Sequence, residues 1–478
     1  SLPGQTDRSW VKVRLMSMIV MAGSIVVGGT AVNRRFGSAT FCGTIGRWID
    51  VMKNKTIKYL LIVWALAGSV WLLGQALAQE GNWFTFLPLA IKQEPPEPMV
   101  ELRGLWVTRF DWTLNAADVN PAKLDEIVNN AALAGFNALF FQVRGEADAF
   151  YDSNVEPWSQ RLTGTLGQNP GWDPLQYLIQ KAHERGLQVH AYINVYPVWL
   201  GCTPPPDGTV PRHLYYLIQD EHGLTGDKPN GLQWDTDGNV ICDSYLRASP
   251  ASLFVDDHLL AVATDLVTRY DVDGLHLDHA RYALRASSCD PVSAAAYGAD
   301  CFDGDGQAYA AWQRQQVNGT IAKFYEQIVP LKPDIWLTAA VWPIYIDYWG
   351  WGGTQGYHDF YQDSKAWLAN DTIDAIMPMI YGSSFWTQAR FATLVEDFQA
   401  SNNGRYIIPG IGADFDDFAE IEARINMARA AGTAGHAIFS YSALLAHGYF
   451  DDMAAGPYAE TAVVPGIPWR ITGGGNGP

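Results

Sequence analysis

The segment YDVDGLHLDHARY, residues 270–282, decides the fold that this sequence predicts. It begins as a short apolar strand, residues 274–277, and continues directly into a cluster of ionisable side chains. A buried parallel strand is normally a continuous apolar run, so charge immediately after one marks its functional end. In barrels and open α/β sheets, ligands bind and catalysis occurs at the carboxyl ends of the strands. We therefore expect Asp278 to lie at the centre of an active site.

Seven further apolar segments alternate with helix-like segments on either side of this strand. The predicted strands cover residues 102–108, 137–143, 187–193, 274–277, 335–341, 375–380, 406–411 and 437–441. The helices between them begin at cap-and-proline pairs such as Asp173-Pro174 and Ser249-Pro250. Eight strand–helix units predict an α/β fold, a (β/α)8 TIM barrel with long inserted loops after strands 3, 4 and 5. A doubly wound sheet is the alternative, although no glycine-rich phosphate loop follows the first strand.

The first 78 residues have the pattern of a leader. A basic segment that starts at Met52 precedes an apolar core at 59–73 and an Ala-Leu-Ala cleavage site at 76–78, as in a secretory signal peptide. An uncleaved membrane anchor is the alternative, because that core is near the lower length limit for spanning. The predicted organisation is an unassigned segment at 1–51, a signal peptide at 52–78, a linker at 79–99, the barrel at 100–455 and a C-terminal tail at 456–478.

Charge and composition narrow the possible partners. The chain has 32 Lys and Arg against 50 Asp and Glu, a formal net charge of -18. Removal of the leader takes away nine of these basic and two of these acidic residues, which brings the net charge near -25. Such an acidic protein is unsuited to nucleic acid and suits neutral or cationic substrates, amino sugars among them. The predicted partner is a polysaccharide or oligosaccharide, with membrane contact only through an uncleaved leader; the oligomeric state stays open.

Four cysteines follow the leader: Cys202, Cys242, Cys289 and Cys301. An even number of cysteines in an exported protein indicates disulfides, and four allow three pairings. We favour Cys202–Cys242 and Cys289–Cys301, because each bond would close one loop segment. Together with the leader, these bonds predict a secreted or cell-surface protein.

If the barrel closes, the polar side chains that follow its strands share one face. Glycoside hydrolysis suits such a set, because it needs one carboxyl group to protonate the leaving oxygen and another as nucleophile or base. Asp278 is the predicted nucleophile or charge stabiliser; helix capping or pairing with Arg281 is the alternative. Asp148 and Glu146 are the leading candidate acids and Asp414 the third, with solvated loop carboxylates as the alternative. The predicted substrate-binding residues are Arg109, Arg144, Tyr192, Asn194, His276, Arg281, Trp342, Tyr345, Tyr381, Asp414 and Tyr441.

The segment after the fifth strand is unusually aromatic, from Trp342 and Tyr345 to Tyr357. It has two interpretations: a platform for stacking sugar rings, or a loop that packs on itself. The strand-end residues lack the His-and-carboxylate trio of a hydrolytic metal site, so neither a metal nor a cofactor is predicted.

Several motifs, in order along the chain, resemble those of a known family. LRGLWVT at 102–108 resembles its first strand, QVR at 142–144 with DAFY at 148–151 its second, HAYIN at 190–194 its third, and DVDGLHLD at 271–278 its fourth. The sequence is identified over about residues 100–450 as a member of the glycosyl-hydrolase-like family ten.

This resemblance implies an exported bacterial TIM-barrel glycoside hydrolase that cleaves an amino-sugar polysaccharide, such as an exopolysaccharide or a peptide-free cell-wall glycan. It implies that the family's aspartates after strands four and two correspond to Asp278 and Asp148. His279 stands where family members often have a second aspartate, and the long insertion before Ser249 is particular to this chain, so the substrate stays open. The competing functions are a non-catalytic carbohydrate-binding barrel and a metal-dependent polysaccharide deacetylase.

Overall fold

A computed structural model describes residues 98–283, 288–301, 306–382 and 385–470. Its central sheet is a closed ring of parallel strands, in which each strand pairs with the next and the last pairs with the first. The strands are β1 Leu102–Val107, β2 Ala138–Arg144, β3 Gln188–Asn194, β4 Gly274–Asp278, β5 Trp336–Val341, β6 Ala375–Ile380, β7 Tyr406–Ile407 with Gly410–Gly412, and β8 Gly435–Phe439. The predicted TIM barrel is confirmed. The predicted leader lies outside the described residues.

Helices surround the barrel and bury their apolar sides against it. They are α1 Pro121–Leu133, α2 Pro174–His183, α3 Leu253–Arg269, α4 Gln307–Ile328, α5 Ser364–Ala369, α6 Gln388–Gln399, α7 Phe418–Ala430, α8 Tyr441–His447 and α9 Phe450–Ala455. Shorter helices lie within the loops, at Phe110–Thr113, Gln160–Thr163, Leu214–His222, Pro291–Tyr297 and Gly356–Asp359.

Two element boundaries differ from the sequence prediction. The hydroxyl of Ser252, not of Ser249, caps α3, and it accepts the N–H of Val255 at 3.2 Å. The Ser249 hydroxyl instead lies in the turn before the helix, where it accepts the Ala251 N–H at 3.4 Å and donates to Asp290 of another loop at 3.0 Å. The seventh strand is split where Pro409 interrupts it, since proline has no N–H to donate to the sheet.

The long insertions follow β3, β4 and β5, at residues 195–252, 279–306 and 342–363. A disulfide joins Cys202 to Cys242 within the first, and another joins Cys289 to Cys301 within the second. Both predicted pairings are confirmed, and they fit an oxidising, extracellular setting. Over the described ranges, no helix has the length and apolar character needed to cross a membrane.

The opposite end of the barrel is covered by the chain that follows α9. Ala462–Val463 pairs in parallel with Met99–Val100, next to the start of β1. Ile467 is buried with the apolar residues of the barrel interior, and the Trp469 indole donates to Asp374 at 2.9 Å. Residues 456–470 therefore pack against the end of the barrel at which the strands begin.

Gly274, the first residue of β4, has no room for a side chain. A Cβ at this position would lie 2.1 Å from Nδ1 of the buried His190. We expect Gly274→Ala to lower the free energy of unfolding by about 2 kcal/mol through overpacking. The matched control is Gly319→Ala on α4, where a Cβ meets nothing within 4 Å and alanine favours the helix. Urea unfolding measures both variants, and equal midpoints for the two would contradict the expectation.

Candidate active site

Asp278 is the final residue of β4, and three donors hold its carboxylate. The Tyr192 hydroxyl donates to Oδ2 at 2.7 Å, the His279 N–H donates to Oδ1 at 2.5 Å, and Arg281 Nη1 donates to Oδ1 at 3.3 Å. Burial alone would raise the pKa of Asp278, but His279, Arg281 and the Tyr192 hydroxyl lower it by more. The net pKa lies well below the usual range, so this carboxylate is ionised at all ordinary pH values.

The layer beneath Asp278 is a chain of three hydrogen-bonded side chains inside the barrel. The Trp106 indole N–H donates to His276 Nε2 at 3.1 Å, and His276 Nδ1 lies 2.8 Å from the Thr338 hydroxyl. Since Nε2 accepts a hydrogen bond, the ring carries its proton on Nδ1. Burial lowers the pKa of His276 to about 3, so the ring is neutral. His276 therefore lies under the candidate active site rather than at its opening.

Two further carboxyl groups, those of Glu146 and Asp148, lie in the loop that follows β2. The Glu146 side chain is 1% exposed, and its Oε2 lies 3.6 Å from Arg109 Nη2. Asp148 Oδ1 accepts the Glu146 N–H at 3.1 Å. Burial and the neighbouring Asp148 raise the pKa of Glu146 to about 7, and burial raises the pKa of Asp148 as well. This pair therefore holds a proton at neutral pH.

Side chains from the insertion after β3 connect the two carboxyl centres. Arg109 Nη2 donates to the Tyr245 hydroxyl at 2.7 Å, and the Tyr245 ring lies 5.7 Å from the ring of His279. Arg247 Nη1 lies 3.1 Å from His279 Nδ1, and Asp243 holds the Arg247 guanidinium with contacts at 3.1 Å. Arg109 and Asp278 thus belong to one continuous cluster of side chains.

The backbone is strained beside both carboxyl centres. His279, next to Asp278, has a φ of 51°, and Ala147, between Glu146 and Asp148, has a φ of 57°. Residues other than glycine rarely adopt this left-handed region, and such strain is concentrated at functional sites. The same feature at both places supports a functional assignment of both loops.

The structure also brings Asn194 and Tyr381 to this end of the barrel. The Asn194 side chain accepts from the Gln142 amide at 3.2 Å and donates to the Gly145 carbonyl at 2.8 Å, which supports the loop of Glu146. Tyr381 stacks on Phe439 with ring centroids 4.4 Å apart. Burial and the nearby charge of Asp278 raise the pKa of Tyr381, so its hydroxyl stays protonated.

Apart from the aromatic segment after β5, three predicted binding residues lie outside this cluster. Arg144, a predicted substrate-binding residue, is fully buried and pairs with Glu156 at 2.8 Å. The Tyr441 hydroxyl donates to Glu126 on α1 at 2.7 Å, because residue 441 begins α8 instead of ending β8. Asp414 is exposed. These contacts indicate that Arg144 and Tyr441 stabilise the fold.

The aromatic segment after β5 packs largely on itself. Trp349 stacks on Trp351 at 4.6 Å, and the Tyr345 hydroxyl donates to Asp363 at 2.7 Å. Trp342 packs on Phe360, with ring centroids 4.3 Å apart, and the Arg281 guanidinium lies 5.4 Å from the Trp342 ring. Only the part of the segment around Trp342 therefore borders the Asp278 cluster.

Tyr245, Arg247 and the pairing of Glu146 with Arg109 were not foreseen from the sequence. Tyr245 and Arg247 lie in a long loop without regular periodicity, but they follow Cys242 within five residues. The Cys202–Cys242 bond, which the sequence does predict, was the one signal that this part of the loop is held in place. In the part of the chain that the structure describes, no three His, Cys, Asp or Glu side chains are grouped so that they could hold a metal ion.

Parallel barrels with carboxylates and aromatic rings at the carboxyl ends of their strands are the architecture of many glycoside hydrolases. The chain matches the family model described as Glycosyl hydrolase-like 10 over residues 101–408, and it belongs to that family.

Two sequence relatives agree with this membership, and a solved structure shares the fold. The chain is 29% identical to Glycosyl hydrolase DigH of Escherichia coli K12 over 334 residues, 65% of this chain and 71% of the relative. It is 26% identical to Glycosyl hydrolase YngK of Bacillus subtilis 168 over 401 residues, 77% and 74% of the two chains. The PgaB (BpsB) glycoside hydrolase domain of Bordetella bronchiseptica has the same fold, with a TM-score of 0.53 and 13% identity over 74% of this chain and 98% of the domain.

Proposed function

We propose that this protein is a secreted glycoside hydrolase that cleaves glycosidic bonds in a bacterial amino-sugar polysaccharide. One observation carries the proposal. Two carboxyl centres lie in one cluster of side chains at the barrel end, and their surroundings shift their pKa values in opposite directions. One carboxyl group kept ionised and another kept protonated at neutral pH is the pairing that acid-assisted glycoside cleavage requires.

Asp278 is the proposed nucleophile or stabilising carboxylate. Its negative charge would face the positive charge that develops on the sugar ring in the transition state. The Tyr192 hydroxyl and the His279 N–H fix the orientation of the carboxylate before substrate arrives. Because these donors are already in place, the site needs little reorganisation during the reaction.

Glu146 is the proposed acid and base, in preference to Asp148. Both side chains are buried, and each has one carboxylate oxygen without a hydrogen-bond partner among the described residues. The Oδ1 of Asp148 is engaged by the backbone of the same turn, whereas the longer Glu146 side chain reaches Arg109, which donates to Tyr245 in the Asp278 cluster. Asp148 then acts on Glu146 as a nearby negative charge that keeps the acid protonated.

The proposed substrate class follows from charge and from the family. The protein is strongly acidic, which disfavours polyanions and suits neutral or amine-bearing sugars. The relatives DigH and YngK are both named glycosyl hydrolases, and the two disulfides fit an exported protein.

The proposed acid gives a specific pH dependence. Glu146 is protonated below about pH 7 and loses its proton above it, whereas Asp278 stays ionised throughout. We expect kcat/KM to fall on the alkaline side with an apparent pKa near 7. Glu146→Gln should lower kcat by roughly 10²–10⁴-fold and remove that alkaline limb. An unchanged alkaline limb in this variant would assign the acid to another group.

The experiment that tests the function is a screen of purified protein against defined glycans. The panel contains chitosan-like, galactosamine-containing and peptide-free peptidoglycan polymers, and mass spectrometry measures the sizes of the products. Shortened chains support the proposal. Released acetate with intact chains would indicate a deacetylase, and binding without any product would indicate a carbohydrate-binding barrel.

A further inference from the structure

A cavity on the outer layer of the barrel shares no residue with the Asp278 cluster. Its volume is about 320 Å³, near the lower end of the range of about 300–1,000 Å³ for ligand pockets. It lies between the start of α2, which Asp173 caps, and the end of α3, from which Tyr270 donates to Asp173 at 2.6 Å. The lining residues are Asp152, Trp158, Asn169, Gly171, Trp172 and Asp173.

Two tryptophans form the apolar part of this cavity. Trp158 is almost fully buried, whereas Trp172 is half-buried and keeps part of its ring accessible. Trp172 makes edge-type contacts with Trp112 and Tyr177, with ring centroids 6.5 and 6.1 Å away. The indole is therefore fixed before a ligand arrives, and binding would cost little side-chain entropy.

The polar side chains of the cavity differ in whether they still have a hydrogen-bonding group available to a ligand. Both oxygens of Asp173 are occupied, by the N–H of Gln176 at 3.0 Å and by Tyr270 and the Asp152 N–H. The Asp152 carboxylate is 61% exposed, and its ion pair with Arg269 is long at 3.5 Å. Asn169 uses its Oδ1 to accept the Gly171 N–H at 2.7 Å, which leaves its NH₂ group as a donor.

We propose that this cavity is an accessory carbohydrate site, which holds an amine-bearing hexosamine unit away from the point of cleavage. The Trp172 ring stacks on the apolar face of the sugar, the Asn169 amide donates to a hydroxyl, and Asp152 accepts from the ammonium group or from hydroxyls. Two carboxylates in the wall favour an amine over an anionic sugar. The choice of polymer rests on the proposed function, whereas the existence of the site rests on the cavity itself.

The consequence for the enzyme is a second point of attachment for long chains. A polymer that occupies both sites gains effective concentration at the first, and a short oligosaccharide does not. Trp172→Ala should therefore raise KM for a glucosamine polymer roughly five- to tenfold and leave kcat/KM for short oligosaccharides unchanged. Trp172→Phe, which keeps an aromatic face, should recover most of the loss.

Direct binding measurements test the accessory site independently of the proposed hydrolase activity. Calorimetric titration of the full Asp278→Asn chain with glucosamine oligosaccharides should show two binding events, of which Trp172→Ala and Asn169→Ala each remove or weaken one. Gln168→Ala, an exposed neighbour that does not line the cavity, should keep both events.

Two outcomes would contradict the accessory site. One is that oligosaccharide binding and the KM for the polymer are unchanged in both the Asn169→Ala and the folded Trp172→Ala chains. The other is that N-acetylated oligosaccharides bind more tightly than free-amine ones. If Trp172→Ala fails to fold, Asn169→Ala on its exposed loop decides. Binding at this cavity by a protein that cleaves no glycan would support the site and overturn the proposed hydrolase; cleavage without a second binding event would do the reverse.

Discussion

Replacing Asp278 by asparagine is expected to lower kcat by at least roughly 10³-fold while oligosaccharide binding changes only a few fold. Asparagine has nearly the same shape: its Oδ1 still accepts the His279 N–H, and its NH₂ group replaces the oxygen that accepts from Tyr192, so it donates to the Tyr192 hydroxyl oxygen instead. The main change is the loss of the negative charge, and that charge matters most when positive charge develops on the sugar. Turnover and binding should therefore separate in this variant.

The control for Asp278→Asn is Asp257→Asn, which removes a carboxylate exposed on α3. Product formation by mass spectrometry and oligosaccharide binding by calorimetry are measured on the same preparations. Full turnover in Asp278→Asn would overturn the enzymatic assignment of this residue. A fall in thermal stability together with loss of both binding and turnover would instead indicate that Asp278 serves only to pair with Arg281.

The second large effect is expected at the buried pair of Arg144 and Glu156. Both side chains are fully buried, their closest atoms are 2.8 Å apart, and His258 lies 2.9 Å from the same carboxylate. Arg144→Met would leave a buried carboxylate without its main partner, and we expect it to lower the free energy of unfolding by about 3–5 kcal/mol. At the size of this domain the melting temperature should fall by roughly 4–6 °C.

Two further variants show whether this effect arises from the unpaired charge. The double variant Arg144→Met with Glu156→Gln removes both charges and should recover part of the lost stability. Lys181→Met breaks an exposed ion pair with Glu184 and should leave the melting temperature unchanged. Equal losses in the single and double variants would contradict the role of the pair.

Acid conditions provide an independent check on Glu156. Burial would raise its pKa, but Arg144 and His258 lower it by more, to about 2. A folded pKa below the unfolded value of about 4.3 means that the stabilisation is complete at neutral pH and is lost as the pH falls from about 4 toward 2. The Arg144→Met protein should lack most of this pH dependence, which urea unfolding at several pH values measures.

The barrel could be predicted because its signals are local. Apolar runs, helix caps such as Asp173-Pro174 and the charges that follow β4 all lie within a few residues of the elements that they define. The position of Asp278 at the end of β4 follows from the same pattern. The exception is Ser249, because its hydroxyl lies in the turn before α3 and contacts Ala251 and the distant Asp290 instead of capping the helix.

The candidate site was less predictable because side-chain direction depends on contacts between distant segments. Arg144 is the last residue of β2, where the barrel rule places functional side chains, but its guanidinium pairs with the buried Glu156. Tyr245 reaches Arg109 across 136 positions of sequence, through a loop whose path no periodicity reveals. The pKa of Glu146 likewise depends on its burial and on the conformation of one turn. Neither can be read from the amino-acid composition.

The parallel pairing of residues 99–100 with residues 462–463 bears on how the protein can be handled. Both segments lie at the end where the barrel strands begin, whereas Asp278 and Glu146 lie at the end where strands finish. A bead, surface or fused protein attached to either of these segments would therefore leave the barrel end that carries Asp278 directed outward. Immobilisation from that side should let the protein meet an insoluble glycan without obstruction.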